Sequence, residues 1–170
     1  RIYQGWGTSA GFSGWFVIRF DRPFEIMDKL SGSQQIALSF NNEKVVTAKT
    51  GSSFTSQANA GKNLDSEIPD WDFEKLRKST EDVWNKTLGK IRVAGGTPED
   101  LEKFYTALYH CYQLPRIASD ADGSYNGFAG DSSIHKATGF DYYDDFSLWD
   151  TYRALHPLMT ILEPERTGHM

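Results

Sequence analysis

The sequence predicts an α+β chain that holds pieces of more than one domain, with strands first and amphipathic helices after them. In the first third, aromatic and β-branched runs alternate with closely spaced glycines, a pattern typical of sheets with tight turns. After Pro69, apolar side chains recur instead at helical spacing. At 170 residues the chain can form one ordinary domain or parts of two. The sequence has the character of a folded segment from Arg1 onward, with no signal peptide before it, so we expect a fragment of a longer protein.

Composition and charge exclude several classes of protein. Hydrophobic residues make up 39% and charged residues 24%, which is globular composition and argues against wholesale disorder. The net charge is −5 and the lysines and arginines are scattered, so nucleic acid is not an expected partner. No apolar run approaches the roughly 18 residues of a membrane span. Cys111 is the only cysteine, which excludes an internal disulfide, and we expect it to be a buried structural thiol.

Strands are predicted in the first third of the chain. Residues 15–20 form an aromatic and β-branched run. Over residues 36–40, apolar and polar side chains alternate, and two asparagines follow before a second extended run over residues 45–50. We therefore predict a hairpin from these two runs, and we assign residues 1–68 to the C-terminal part of a β-sandwich domain.

Two amphipathic helices are predicted next. The first has a stripe that indicates about five turns and lies in a helical linker over residues 69–96; the stripe consists of Phe73, Leu76, Val83, Trp84, Leu88 and Ile91. The start of the second helix is predicted by Thr97 as N-cap, Pro98 at the first helical position and Asp100 at the third. We assign this helix to the start of an α-helical domain over residues 97–170. Its wide apolar stripe consists of Leu101, Phe104, Tyr105, Leu108, Cys111 and Tyr112.

A long polar connection over residues 114–145 follows, and connections of this length often line sites. Within it, closely spaced oxygen side chains and a turn glycine superficially resemble a calcium loop: Asp120, Asp122, Gly123, Tyr125, Asn126 and Gly127. The match to an EF-hand fails because no following helix starts there, so an Asx-turn loop is the favoured interpretation. We interpret Asp141, Asp144 and Asp145 as side chains of a solvated loop, whose negative charges stabilise the N-terminus of the next helix.

Ser147 is predicted to cap a last helix, which Pro157 bends by leaving the Arg153 carbonyl without its donor. The apolar stripe of this helix consists of Leu148, Tyr152, Leu155, Met159 and Leu162. Asp150 admits two interpretations, because it is spaced to complete a capping box with Ser147 and also lies beside Trp149. This arrangement can bind a monosaccharide. The indole of Trp149 can stack on one sugar face, the Asp150 carboxylate can accept hydrogen bonds from two hydroxyls, and Arg153 can hold that carboxylate. These three residues are the candidate substrate-binding group.

The histidines give no sign of a metal or nucleophile site. They show no spacing such as HExxH, and no serine or cysteine partner is identifiable by motif. We expect all four to be structural: His110, His135, His156 and His169.

Several segments together resemble glycoside hydrolase family 92. They are FYTALYH over residues 104–110, SDADGSYNGF over 119–128, and FSLWDTYRALHPL over 146–158 with PER after it. The earlier SQANAGKNLDSE over 56–67 is similar to that family's passage from sandwich to linker. The resemblance covers nearly the whole chain, and the WDTYRALHP block is its specific part.

The resemblance implies an N-terminal β-sandwich joined through a linker helix to an (α/α)6 toroid, of which this chain would hold the first helices. It implies a secreted, periplasmic or cell-surface exo-α-mannosidase that removes terminal α-linked mannose, α-1,2-linked, from glycans. Such enzymes act with inversion and use a calcium ion that contacts the sugar. The expected partners are therefore mannose-containing glycans and the remainder of the same polypeptide.

For individual residues, the resemblance implies that Trp149 and Asp150 hold the mannose of the −1 subsite and that Arg153 orients Asp150 or the domain interface. Inversion requires a carboxylic acid and a carboxylate about 6.5–9.5 Å apart, so that water fits between them. The family pattern puts both of these groups, and most calcium ligands, beyond Met170. The resemblance therefore implies no catalytic residue and no metal ligand in this chain, which we expect to be inactive by itself.

Two other functions stay open at this level. The first is a non-catalytic carbohydrate-binding or scaffold protein, in which aromatic side chains such as Trp149 recognise glycans without cleaving them. The second is a helical-toroid glycosidase of different specificity, such as an α-glucosidase, which would use a similar tryptophan and aspartate near an inner helix.

Overall fold

An antiparallel sheet with one helix packed on it opens the chain, and a helical unit follows. The computed structural model describes residues 2–9, 12–27, 35–128, 131 and 133–170. It divides into two units, the first of Arg1–Trp71 with Asp120–Asp122 and the second of Asp72–Ser119 with Gly123–Met170. The chain is thus a mixed α+β protein of small sheets and helices, as predicted. The boundaries at residues 68 and 96 stay predictions.

The first unit is built on a three-stranded antiparallel sheet in the order β1-β2-β5. The elements of this unit are β1 (Ile2–Ser9), β2 (Phe12–Phe20), β3 (Glu25–Ile26), β4 (Leu38–Ser39), β5 (Ala48–Ser53) and α1 (Gln57–Glu67). Helix α1 buries Ala60 and Leu64 against Val17 of β2, and Trp15 and Ile68 pack at the edge of this core. The aromatic run predicted over residues 15–20 therefore supplies the central strand.

The hairpin predicted from residues 36–50 is wrong. Strand β4 pairs with β3, and β5 pairs with β2 in a register that sets Val17 opposite Gly51. The turn itself is present, because Asn41 and Asn42 adopt positive φ angles of 49° and 63°, which asparagine tolerates. The chain leaves this turn toward β2 because the apolar side chains of β2, together with α1, provide the core that β5 completes.

Helix α1 was not predicted within residues 1–68. The Ser56 side chain caps its first turn by accepting from the Asn59 amide at 3.1 Å. At its other end the Lys49 ammonium, on a side chain that is buried, donates to the Ile68 carbonyl at 2.7 Å and lies 4.8 Å from the Trp71 ring centre. A cation at a helix C-terminus is favourable for the carbonyls that end the helix.

The second unit has a helical core. Its elements are α2 (Phe73–Leu88), α3 (Pro98–Cys111), β6 (Arg116–Ile117), β7 (Ser124–Asn126), β8 (Ile134–Lys136), β9 (Tyr143–Asp144), α4 (Leu148–Thr151), α5 (Leu155–Leu162) and α6 (Pro164–His169). Leu108, Tyr112 and Met159 are buried at its centre, with Trp84 and Leu88 of α2 packed against them. The described helices are each too short or too polar to cross a bilayer.

The two predicted helices are confirmed with one difference. The Thr97 side chain accepts from the Asp100 amide, and the Asp100 carboxylate accepts from the Thr97 amide, so the predicted capping box is complete. In α2, however, Phe73 and Val83 of the predicted apolar stripe are 66% and 62% exposed. Trp84 and Leu88 make the contact with the core, so α2 is anchored through its C-terminal half.

Two small pairs of strands fill the long connection. Strands β6 and β9 pair with each other, and β7 and β8 form an antiparallel hairpin. The rings of Tyr125 and Tyr142 stack with centres 4.0 Å apart, and the His135 ring stacks with that of Tyr125 at 5.4 Å. These strands of the connection therefore pack within the second unit.

Candidate functional site

The conspicuous segment over residues 146–157 folds as two short helices rather than as the single bent helix that the sequence predicted. Helix α4 is only four residues long, and α5 begins at Leu155. Pro157 has no N–H and cannot donate to the Arg153 carbonyl. In the first turn of a new helix that missing donor matters little, because amides there have no intrahelical acceptor. The break therefore precedes Leu155, and Trp149 and Asp150 lie on the short first piece.

Trp149 is the most exposed large apolar side chain of the described residues, at 90%. Phe146, Leu148 and Tyr152 around it are 38%, 57% and 53% exposed. A soluble protein rarely groups such side chains at its surface without a ligand or partner, and an indole face suits the C–H face of a sugar. The geometry thus presents Trp149 as an accessible flat surface.

Asp150 lies within one turn of Trp149, at the surface. The Ser147 hydroxyl donates to Asp150 Oδ2 at 3.1 Å, whereas the Ser147 side chain accepts no amide of the helix. Neither half of the predicted capping box is therefore formed, because Asp150 accepts from the Ser147 hydroxyl and not from its backbone amide. Among the described residues Asp150 Oδ1 has no hydrogen-bond donor, so this oxygen is open to the hydroxyl of a ligand.

Arg153 lies on the connection between the two short helices. Its Nε donates to the Tyr152 hydroxyl at 2.7 Å, and its guanidinium lies 5.4 Å from the centre of the Tyr152 ring. The structure thus places Arg153 against Tyr152, while Ser147 is the residue that contacts Asp150.

A pocket of about 180 Å³ opens directly beside this segment, within the second unit. Its walls come from the end of α3, the chain that follows it, and the starts of α4 and α5. The lining residues are His110, Gln113, Leu114, Pro115, Asp145, Ser147, Thr151, Leu155 and His156. Both ring nitrogens of His156 are buried and have no hydrogen-bond partner among the described residues. Sequence reasoning treated His110 and His156 as structural and did not identify this pocket.

The three aspartates before α4 do not converge on one point. Asp145, at a φ of 63°, forms an ion pair with Arg116, and Asp144 Oδ1 accepts from the Asp145 amide at 2.7 Å. Asp141 lies near His169, whose Nδ1 accepts from the Asp141 amide at 3.2 Å. These carboxylates therefore organise the loop, and they supply no paired acid and base.

The residues that superficially resembled a calcium loop do not fit a cation. Asp120 is only 6% exposed, and its carboxylate accepts hydrogen bonds from the side chains of Ser53, Thr55, Asn59 and Asn63. These donors direct their hydrogens at the oxygens that a metal would need. Asp122 pairs with Lys62 at 2.9 Å instead. Across the described residues no cluster of three or more histidine, cysteine or acidic side chains is arranged to hold a metal.

The sequence model of the glycosyl hydrolase family 92 catalytic domain matches residues 59–170. This range contains the capped helix α3, the long connection and the segment with Trp149 and Asp150. The match therefore covers about two thirds of the chain, including the whole candidate site.

Solved structures of the same family are similar to the chain over most of its length. A family GH92 alpha-mannosidase from Bacteroides thetaiotaomicron is 33% identical with a TM-score of 0.72 and covers 88% of this chain. A family GH92 inverting mannosidase from the same species is 29% identical with a TM-score of 0.75 and covers 94%. The structure of a gh92 family glycosyl hydrolase named ccman5, at 23% identity and a TM-score of 0.81, shows the fold over 98% of the chain.

A curated relative from Arthroderma benhamiae, named an uncharacterized secreted glycosidase, is 32% identical over 124 residues, which is 70% of this chain. The chain spans 15% of that relative's length. It spans 23% of the alpha-mannosidase, 25% of the inverting mannosidase and 24% of ccman5. The similarity thus concerns one part of each of these longer proteins.

Proposed function

Because this chain belongs to glycosyl hydrolase family 92, we propose that it forms part of an exo-α-mannosidase that removes terminal α-linked mannose, α-1,2-linked, from glycans with inversion. The observation that carries the proposal is the family match over residues 59–170, which includes the exposed Trp149 beside Asp150. Two relatives in the same family are named as mannosidases, one of them inverting. Mannose-containing glycans are accordingly the proposed partners, together with the remainder of a longer polypeptide.

Trp149 and Asp150 are proposed to hold the terminal mannose. The indole presents a flat apolar face to the C–H face of the ring, and the open Asp150 oxygen accepts from a ring hydroxyl. The Ser147 hydroxyl, at 3.1 Å from the other oxygen, keeps the carboxylate on this side of α4. Arg153 is the third proposed residue, at the interface with the rest of the enzyme, since its described contacts are with Tyr152.

The carboxylic acid and carboxylate of an inverting mechanism are proposed to lie outside this chain. Such a pair needs a separation of about 6.5–9.5 Å with room for a water molecule. This is supported by the contacts of the aspartates near α4, because Asp145 forms an ion pair with Arg116 and Asp144 accepts from the Asp145 amide. The calcium ion that the family implies is likewise proposed to be held by residues outside the described part, and this chain's own role is to position the sugar.

The same proposal extends to fold and location. We propose that the sheet unit belongs to a β-sandwich and that α3 to α6 open an (α/α)6 toroid. Export from the cell, to the periplasm, the cell surface or the medium, is proposed because the curated relative is named as secreted.

The direct test is an assay of the complete gene product on α-linked mannobiose, with added calcium and with a chelator. We expect mannose release that requires calcium. Release of glucose from matched glucosides without release of mannose would instead favour a toroid glycosidase of different specificity. Binding of mannosides without any hydrolysis would favour a non-catalytic carbohydrate-binding or scaffold protein.

A further inference from the structure

We propose that Arg166 of α6 is a positioning residue for the mannose site, because it holds the pair of strands from which α4 starts and so fixes the location of Trp149 and Asp150. This inference rests on the proposed function, since it takes those two residues to bind the sugar. Arg166 makes no contact with the ligand in this proposal. It acts through the backbone that leads into α4.

Helix α4 does not fix its own position. It has four residues, Leu148–Thr151, and the Ser147 side chain accepts no amide of this helix. So short a helix is not stable by itself, because the first helical turn is unfavourable to form. Leu148 and Trp149 are exposed and add little packing. The orientation of α4 therefore depends on the chain on either side of it.

On the N-terminal side that chain is strand β9. Tyr143 and Asp144 of β9 pair with β6, and only residues 145–147 separate them from α4. Asp145 adopts a φ of 63°, a value that is uncommon for residues other than glycine, so the chain turns sharply at this one position. A shift of β9 would thus reach Trp149 and Asp150 through only three residues.

Arg166 contacts both strands of this pair at once. One of its guanidinium nitrogens donates to the carbonyl of Pro115, directly before β6, at 3.1 Å. The guanidinium carbon lies over the ring of Tyr143, in β9, at 5.4 Å from the ring centre. It also lies over the ring of Tyr112, directly after α3, at 5.8 Å. A single side chain therefore joins the end of α3 to β6 and β9.

The surroundings of the guanidinium suit arginine in particular. Tyr112 and Tyr143 are both buried, and a cation over a buried ring interacts more strongly than one at an exposed ring. Burial and the hydrogen bond to Glu163 raise the pKa of Tyr112 to about 12, so its ring stays a neutral phenol. A planar guanidinium can lie over rings and donate in its own plane, whereas the ammonium of lysine is a point charge.

The other contacts that hold this strand pair are weaker. Strands β6 and β9 have two residues each, so their pairing is short. Arg116 forms an ion pair with Asp145, but these side chains are 59% and 41% exposed, and ion pairs in such a setting contribute little. We therefore assign the hold on β6 and β9 to Arg166 rather than to Arg116.

The test uses the complete gene product, with kcat and KM measured on α-linked mannobiose. The variant Arg166→Met keeps a long side chain but removes the charge and the donors. Misplacement of a binding group by about 1 Å can cost a factor of about 100, so we expect kcat/KM to fall by about 10- to 100-fold. Arg166→Lys keeps the charge and a donor without the planar group, and it should recover part of this loss.

The matched control is Leu88→Ala, which removes packing on the core of the same unit from α2. It should lower the melting temperature, as Arg166→Met does. At a temperature where all variants are folded, however, it should leave kcat/KM unchanged. This control separates the position of α4 from a general loss of stability.

A second measurement follows α4 without reference to activity. Hydrogen–deuterium exchange of peptides that cover residues 143–151 should be faster in Arg166→Met than in the unaltered enzyme, whereas peptides of α2 should exchange as before. If Arg166→Met does not fold, Arg166→Lys serves for both measurements.

Each outcome decides. Faster exchange over residues 143–151 together with a fall in kcat/KM would support the proposal. Unchanged exchange, an unchanged kcat/KM, or an equal fall of kcat/KM in Leu88→Ala would each overturn the positioning role of Arg166. If the unaltered enzyme releases no mannose, the proposed function fails, and the exchange data then decide by themselves whether Arg166 orients α4.

Discussion

Asn63 binds Asp120 and the residue after it through both ends of its side-chain amide, within the first unit. Asn63 Nδ2 donates to Asp120 Oδ1 at 2.7 Å, and Asn63 Oδ1 accepts from the amide of Ala121 at 2.7 Å. Residues 120–122 are thereby attached to α1, although they are far from it in sequence. The buried Asp120 is stabilised by neutral donors, so this carboxylate fixes residues 120–122 against α1 within the first unit.

The variant Asn63→Ala is expected to destabilise the chain by about 1–3 kcal/mol, because it leaves a buried carboxylate oxygen without its donor. The measurement is the free energy of unfolding in urea. The matched control is Lys62→Ala, which removes the exposed pair with Asp122 and should change the free energy by less than about 1 kcal/mol. Equal effects of the two variants would contradict the role assigned to Asp120.

Gly51 of β5 lies beneath α1, and the variant Gly51→Ala is expected to be strongly destabilising. Its new Cβ would lie 2.3 Å from the Ala60 carbonyl oxygen and 2.7 Å from Leu64 Cβ, so helix and sheet must separate. Overpacking of this kind in a core destabilises by about 1–3 kcal/mol or more. Thermal unfolding followed by circular dichroism measures the effect.

The matched control for this prediction is Gly61→Ala in the same helix. A Cβ there would lie 3.7 Å from an Arg19 nitrogen, an ordinary contact. Alanine in a helix interior is more favourable than glycine by about 0.5–1 kcal/mol. We therefore expect opposite signs for the two glycines, and a stabilising Gly51→Ala would show that α1 does not pack on β5 as described.

The sequence predicted the helices whose ends carry strong signals. Thr97, Pro98 and Asp100 define the start of α3 through local chemistry, and the structure has this capping box complete. Helix α1 was missed because its buried positions are few, two of them Ala60 and Leu64, and its polar composition hides the helical period. Its formation depends on the surface that β2 and β5 offer, which is a tertiary effect.

Long-range pairing was less predictable than local structure. The pairing of β5 with β2 joins residues that are 28 to 38 positions apart and depends on the shared core around Val17. The predicted hairpin relied on neighbouring runs alone. The candidate site shows the same division. Trp149 and Asp150 were identified from their own segment, but the pocket needs His110 and His156 together, and the sequence contains no signal that the nitrogens of His156 are unpaired.

The hairpin β7–β8 is expected to weaken at low pH through Asp131. The backbone amide of Ser133 donates to Asp131 Oδ1 at 2.8 Å, and His135 Nε2 lies 2.7 Å from Oδ2, which lowers the pKa of Asp131 to about 2 from 3.8. Because the folded pKa is the lower one, the stabilisation is present above pH 3.8 and is lost as pH falls toward 2. The carboxyl carbon signal of Asp131 should titrate with a midpoint near 2.

A second readout for Asp131 is amide exchange in β7 and β8 across the same pH window. The variant Asp131→Asn has no carboxylate to protonate at this position, so the protection of these amides should not fall through this group between pH 3.8 and 2. A midpoint of Asp131 near its ordinary pKa would show that the contacts to Ser133 and His135 do not persist in solution.

Trp149→Ala is expected to weaken mannoside binding and leave stability unchanged. The side chain is 90% exposed, so its removal takes away little packing. Loss of a stacking surface of this kind reduces the binding free energy by about 0.5–1.5 kcal/mol, which is roughly a factor of 2 to 13 in the dissociation constant. Trp149→Phe should retain part of the affinity. Calorimetric titration measures binding, and a fall in melting temperature would instead indicate a packing role.

Asp150→Asn in the complete enzyme distinguishes a sugar-binding carboxylate from a local helix contact. A hydrogen bond to a charged group contributes about 1.5–3 kcal/mol, so weakening of this bond to the sugar should lower kcat/KM by up to roughly 10- to 150-fold. Asparagine keeps the size of the side chain and can still accept from Ser147, so the melting temperature should hardly change. Asp82→Asn, which alters an exposed pair with Lys78, is the matched control and should leave kcat/KM as it is. If Asp150→Asn retains nearly full activity, its carboxylate serves α4 alone, and the proposed mannose position must be sought elsewhere in the fold.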